Sequence, residues 1–407
     1  MNQNSAYVGR VIGNIRTSKW WNHRRFRIIL ISVIIFIIFV ITLSLLLKFV
    51  ILTPKKVQES TSTTISTTII PQPRWSNTSK MHQSRRLHTS TLLRDGKVLV
   101  VGGYNGLVLR NAELYDPLTE NWTIIHNMHT ERYGHTISNL NNGNILICGG
   151  YNNDFPSNLN SSELYDLSTE TWKITSNMHH ARHYHTASLL SDGKILVAGG
   201  AVGLGSRDSA ELYHPPSENW VLTSKMNYAR RGHTATVLSN GKILVTGGKS
   251  NDLALNTAEL YDPLTENWTV TGNMSEVREG GHTASLLSNG QVLVTGGHDG
   301  SRILNSAELY DPTKGIWTMT MNMSNALEYH TASVLQDGKV LVAGGYKGNL
   351  TELFDPSTET WENAGEINDL RTSHTANVLL NGKVLIMGGY DSTSFLNTAE
   401  LYEPLIN

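Results

Sequence analysis

The sequence predicts an all-β ring of seven four-stranded units, and three observations carry that expectation. A His-Thr pair recurs at His88, His135, His185, His233, His282, His330 and His374, at intervals of 44 to 50 residues. An apolar run ends in a glycine pair in every interval, from Gly102-Gly103 to Gly388-Gly389. Between the two stands an Asp-Gly or Asn-Gly dipeptide each time, as at Asp95-Gly96 and Asn240-Gly241. Repetition at such a period marks one supersecondary unit copied around an axis rather than several independent domains.

The chain does not begin with the repeat. Residues 1–27 form a basic tail holding Arg10, Arg16, Lys19, Arg24, Arg25 and Arg27 and no acidic residue. From Ile28 to Leu47 the sequence is uncharged, with only Ser32, Thr42 and Ser44 as polar residues. Twenty residues at ~1.5 Å rise match a hydrocarbon core of about 30 Å. The run is too long for the apolar part of a cleaved signal peptide, which is roughly 7–15 residues. Residues 28–52 therefore read as a transmembrane signal anchor. The basic tail keeps the N-terminus cytoplasmic and sends the bulk across, a single-pass type II arrangement with an extracellular or lumenal C-terminal part. Residues 53–73, rich in Ser and Thr and bracketed by Pro54, Pro71 and Pro73, read as a stalk that cannot bury a core.

The remainder, residues 74–407, is built from the unit. In the fourth copy, His233 to Leu238 and Lys242 to Thr246 read as two strands joined by Asn240-Gly241, a hairpin turn that wants positive φ. Gly247-Gly248 ends the second strand, where the backbone takes an unusual path or is closely approached. Ala258 to Asp262 reads as a third strand stopped by Pro263, and Trp268 opens a fourth with a large apolar plate. The last copy stops at Glu400-Leu401-Tyr402-Glu403-Pro404 with no Trp after it, whereas Trp75 precedes the first His-Thr pair. The Trp75 strand must complete the final unit, closing a seven-bladed β-propeller with an N-terminal outer strand. The glycine pair, the Tyr-Asp-Pro and the spaced Trp resemble kelch repeats over residues 74 to 404. That resemblance implies the fold; kelch propellers serve adhesion, cytoskeletal binding, ubiquitin-ligase adaptors and a copper oxidase group.

A formal charge of −1 in 407 residues gives no general attraction to nucleic acid. Cys148 is the sole cysteine, so no intramolecular disulfide forms, and its apolar strand suits a buried small hydrophobe. An Arg stands three residues before the His-Thr in five units, four before at Arg278, and is replaced by Leu327 in the sixth. Glu113, Glu163, Glu211, Glu259, Glu308, Glu352 and Glu400 open the third strands. Residues repeated this regularly read as ties between blades.

Function is sought where the repeat varies. The loop between Gly-Gly and Glu-Leu has 9, 12, 10, 10, 10, 6 and 10 residues in order, and it shares a face with the links between blades. Just before the histidines lie Arg86, Tyr133, His183, Tyr184, Arg231, Glu328 and Tyr329, the candidate binding residues at the channel mouth. They suit a protein loop or a carbohydrate. Neither a catalytic residue nor a metal or other cofactor is expected. Tyr184-His185 and Tyr329-His330 resemble the Tyr-His pair of galactose-oxidase-like copper enzymes, yet Cys148 sits in a second strand instead of near the channel. A cytosolic kelch adaptor is the reading if the membrane topology is wrong. Glycosylation sequons stand at Asn77, Asn121, Asn160, Asn267, Asn273, Asn322 and Asn349.

Overall fold

A computed structural model describes residues 74–154, 157–346 and 348–404, all within one compact unit, Ile70–Asn407. The basic tail, the anchor at 28–52 and the stalk lie outside the described residues. Among the described residues no helix is long and apolar enough to cross a membrane.

Blade one shows how the unit folds. Its strands are Thr89–Leu92, Val98–Val101, Ala112–Asp116 and Asn121–Ile125, hydrogen-bonded in that order and all antiparallel. The second strand is buried on both faces: Val98 and Val100 pack toward blade seven with Leu385 and Met387, while Leu99 and Val101 meet Ile145 and Ile147 of blade two. Alternation along one strand thus feeds two cores, which is why it reads as a continuous apolar run. Seven four-stranded sheets of this kind are described, with short extra hairpins at Ala201–Ser206 and Lys249–Ala254.

The ring closes as the missing Trp requires. The strand Arg74–Asn77 pairs with Ala399–Glu403, outermost in the sheet that also holds Thr375–Val378 and Val384–Met387. Trp75 stacks on Tyr402 at 5.2 Å, as Trp122 does on Tyr115 at 5.0 Å in blade one. Each indole N–H then stitches its blade to the one before: Trp122 donates to the Ser79 carbonyl at 2.9 Å and Trp220 to that of Ser176 at 3.1 Å.

The repeated polar residues are ties of the same kind. Arg132 takes the N–H of Gly103 from blade one on its carbonyl at 2.9 Å. Its guanidinium turns the other way, donating to the Gly149 carbonyl and to Glu163 Oε1 of blade two, both at 2.8 Å. Burial alone would raise the Glu163 carboxyl, but the Arg132 charge and the His129 N–H outweigh it and hold the group below its usual range. In blade six, where Leu327 replaces the Arg, Glu352 accepts only from the N–H groups of Ser324 and Asn325 among the described residues. The His-Thr pair forms a second circuit. His135 Nε2 meets the Thr89 hydroxyl of the preceding blade at 2.8 Å, His185 meets Thr136 at 3.0 Å, and His88 closes the circle on Thr375 at 2.9 Å.

This circuit explains the first glycine of each pair. At Gly102 the backbone has φ +63°, and a Cβ would lie 2.6 Å from the Arg132 carbonyl oxygen and 2.8 Å from His135 Cε1. Cys148 is buried, contacts Thr136 and His185 through its sulfur, and is pushed up to about 11 by burial, so it is an inert small hydrophobe.

Candidate functional site

Antiparallel pairing sets the residues just before each first strand against those just after each second strand. Arg86 pairs with Tyr104, Tyr133 with Tyr151, His183 with Ala201, Arg231 with Lys249 and Thr372 with Tyr390, each as an isolated bridge. The candidate residues read from the sequence therefore have a second ring beside them that the sequence reading missed. Its signal was present: the residue after the glycine pair is Tyr in four units, at Tyr104, Tyr151, Tyr346 and Tyr390.

The residue immediately before each histidine forms a collar at the channel mouth. All seven, Leu87, Gly134, Tyr184, Gly232, Gly281, Tyr329 and Ser373, have φ between 50° and 67°. A left-handed backbone costs a non-glycine residue roughly 1–2 kcal/mol, so Leu87, Tyr184, Tyr329 and Ser373 are held there by their surroundings. Those surroundings are backbone hydrogen bonds running around the mouth. Gly134 donates to Leu87, Tyr184 to Gly134, Gly232 to Tyr184, Tyr329 to Gly281, Ser373 to Tyr329 and Leu87 to Ser373, at 2.8 to 3.2 Å. The seventh link, from Gly281 to Gly232, is not made among the described residues. There the chain carries one extra residue, since Arg278 stands four positions before its His, while Glu279 keeps the regular bond, donating to the His298 carbonyl at 2.6 Å as Arg86 does to Tyr104 in blade one.

The candidate residues fall into two groups across this mouth. Arg86 and Tyr133 belong to an aromatic arc that runs Tyr390, Phe395, Tyr104, Tyr133, Tyr151, His183 and Tyr184, with successive rings 4.9 to 5.7 Å apart. The Arg86 guanidinium lies over the Tyr390 ring at 4.9 Å. The second group, Arg231, Glu328 and Tyr329, lines a cavity of about 460 Å³ with Lys249, Glu279 and His298, and His183 and Tyr184 at the end of the arc form part of the same wall. It opens at the gap in the collar. Tyr184 and Tyr329 are 38% and 48% exposed, so these rings form its rim. The edge of Tyr184 lies over Gly134, and Tyr329 over Gly281.

The electrostatics of this cavity are uneven. Lys249 and Glu279 pair at 2.7 Å. Burial lowers His183 to about 4, with Arg231 adding to it, so the imidazole is neutral at neutral pH. Burial raises the Glu328 carboxyl above the usual range, and Glu279 adds to this while His298 opposes it. Burial pushes the Tyr184 hydroxyl up to about 12.

Of the sequon asparagines, Asn77, Asn121, Asn267, Asn273 and Asn322 are exposed. Asn160 and Asn349 are half-buried, and their amide groups donate to the Met178 carbonyl and to Glu366.

Tyr184 and Tyr329 are rim residues, and the histidines beside them meet threonine hydroxyls through Nε2, His330 meeting both Thr283 and Thr295, while their Nδ1 atoms are buried without a partner among the described residues. No group of three or more His, Cys, Asp or Glu among the described residues is placed to hold a metal ion.

Comparison with known proteins extends this picture. The chain is similar in fold to a solved fungal alcohol oxidase of the AA5 family in complex with copper, at 18% identity and a TM-score of 0.67. The likeness covers 82% of this chain and 77% of that one, and it extends to the fold alone. No curated protein sequence matches. The KLHDC2/KLHL20/DRC7 Kelch-repeats domain matches residues 87–280 and 218–389, which together span most of the ring. With its strand order, closure and repeated ties, the chain belongs to the kelch-repeat family.

Proposed function

We propose that the chain is a membrane-anchored binding module whose propeller, on the extracellular or lumenal side, holds a protein or glycan partner without chemistry of its own. One observation carries this: the blades repeat their core, their arginines and their His-Thr circuit, and diverge in side chain at the collar face. Aromatic rings and arginine concentrate there, the residue types that most often anchor a partner. Kelch propellers in general bind protein partners. The anchor is supported by the uncharged run Ile28 to Leu47 behind a basic tail, and five exposed sequon asparagines suit a lumenal surface. A non-enzymatic role is supported by the repetition of the channel histidines around the ring, each meeting a threonine hydroxyl of the preceding blade through Nε2.

The test displays the full-length chain in vesicles against protein and glycan arrays. Tyr104→Ala with Tyr151→Ala should abolish capture of the partner found, while Asn289→Ala on the opposite, turn-bearing face should leave it intact. Equal capture by both variants would remove the collar face as the site. Protease protection of microsomes reads the topology: a propeller digested from the cytosolic side replaces this reading with a cytosolic adaptor. Stoichiometric copper in the purified protein replaces it with an oxidase.

A further inference from the structure

We propose that the cavity between Tyr184 and Tyr329 binds a small zwitterion, a molecule of amino-acid to dipeptide size that carries both an ammonium and a carboxylate. The proposal rests on the reading of the collar face as a binding surface, and it assigns that surface a ligand chemistry.

The cavity exists because of one inserted residue. In the other junctions the collar glycine, tyrosine, leucine or serine donates its N–H to the blade before, closing the mouth. Between blades four and five Glu279 keeps the regular bond to His298, and with one extra residue before the histidine Gly281 makes no bond to Gly232 among the described residues. A volume of about 460 Å³ opens at that gap, within the range of roughly 300–1,000 Å³ common for ligand pockets.

Its walls carry two opposite charges that do not meet each other. Arg231, from the link into blade four, donates to the Leu204 carbonyl and makes no ion pair among the described residues. Glu328, from the link into blade six, has neither a side-chain hydrogen bond nor an ion pair among them, although it is half-buried. Lys249 and Glu279, which also line the cavity, neutralise one another. Partly desolvated charges without partners weaken a fold unless something bound supplies the counter-charge. Arg231 calls for a carboxylate and Glu328 for an ammonium, in one molecule small enough to lie between them. A neutral sugar would answer neither.

The rim adds an independent indication. Tyr184 and Tyr329 hold a left-handed backbone at a position where Gly134, Gly232 and Gly281 hold it without strain. Their rings reach solvent and the cavity, so the side chain is kept against the preference of the backbone. A flat ring beside a carboxylate also favours an ammonium group.

The test is calorimetric titration of the full-length chain in detergent with L-alanyl-L-alanine, its N-acetyl form and its C-terminal amide. The free dipeptide should bind saturably, and blocking either end should weaken it about tenfold or more. Glu328→Gln should erase the difference between the free and acetylated forms, and Arg231→Gln that between the free and amidated forms. Tyr329→Gly should leave the melting temperature unchanged or raise it while weakening binding, which separates lost recognition from lost folding. No saturable binding, or equal binding of free and blocked peptides, overturns the proposal. If partner capture still depends on Tyr104 and Tyr151 in that event, the binding face survives and only its zwitterion pocket is removed.

Discussion

Each linking arginine works on two blades through different atoms. The carbonyl of Arg230 receives the Gly200 N–H from blade three, and its guanidinium donates to the Gly247 carbonyl and to Glu259 of blade four. Both side chains are fully buried, so removing the arginine leaves the Glu259 charge buried with no counter-ion among the described residues, held only by the N–H groups of Asn227 and Tyr228 and the Asn227 amide. Arg230→Leu should destabilise the propeller by about 3–5 kcal/mol, measured by denaturant unfolding. The histidine circuit makes a second prediction. Burial, then the neighbouring arginine charge, lowers His135 and His330 to about 3, and lowers His88, His185, His233 and His374 as well. Folded imidazoles thus stay neutral while unfolded ones take a proton below about pH 6.5. Their contribution is intact above that value and is lost as pH falls from it toward 3. Unfolding near pH 5 should therefore take up several protons, read from the steepness of ΔG against pH. From sequence these residues were legible as scaffold because they recur in nearly every unit. Which blade each one reached was not, since a carbonyl and a side chain of one residue serve different neighbours.

Within a blade, features that look separate in the sequence are coupled. Blade six lacks the arginine and also has the shortest loop, six residues between Gly345 and Glu352. In blade one the Arg85 guanidinium reaches the Gly102 and Asn111 carbonyls, and Asn111 lies in that same loop. In blade six Leu327 is a buried apolar residue, and its side chain packs against Gly348 of the shortened loop. Two irregularities that are apart in the sequence meet in the structure. The glycine pair is also an element-scale feature. A Cβ on Gly247 would sit 2.8 Å from the Arg278 carbonyl and 3.0 Å from His282 Cε1, at a positive φ. Gly247→Ala should cost more than the ~1 kcal/mol of backbone preference alone, about 2–4 kcal/mol once the clash is included, as a fall in melting temperature. The same change at Gly241, where a Cβ meets nothing, should cost only the backbone part.

At the scale of the whole molecule, the strand count foretold the closure. Seven Trp-bearing strands were found with one of them at the wrong end of the repeat, and the only consistent ring borrows it. Deleting residues 74–77 should expose the edge of Ala399–Glu403 and make the protein self-associate, detected by light scattering. The binding face was half legible. Residues before the histidines could be marked from the sequence, but their partners after the glycine pairs become neighbours only through antiparallel pairing. The inserted residue before His282 was visible as a shifted Arg, yet its effect is a hydrogen bond that fails to form in space.

That missing bond has a mechanical consequence. A ring tied alike at every joint has no preferred place to yield, because opening one seam costs as much as opening any other. Here blades four and five meet with one tie fewer, so thermal breathing should concentrate at that seam and the mouth should gape on that side. Amide exchange at Glu279 to Gly281 should outpace exchange at the matching Leu327 to Tyr329, and a ligand spanning the seam should slow it. The joint would then act as a latch: loose when empty, and drawn shut by what it holds.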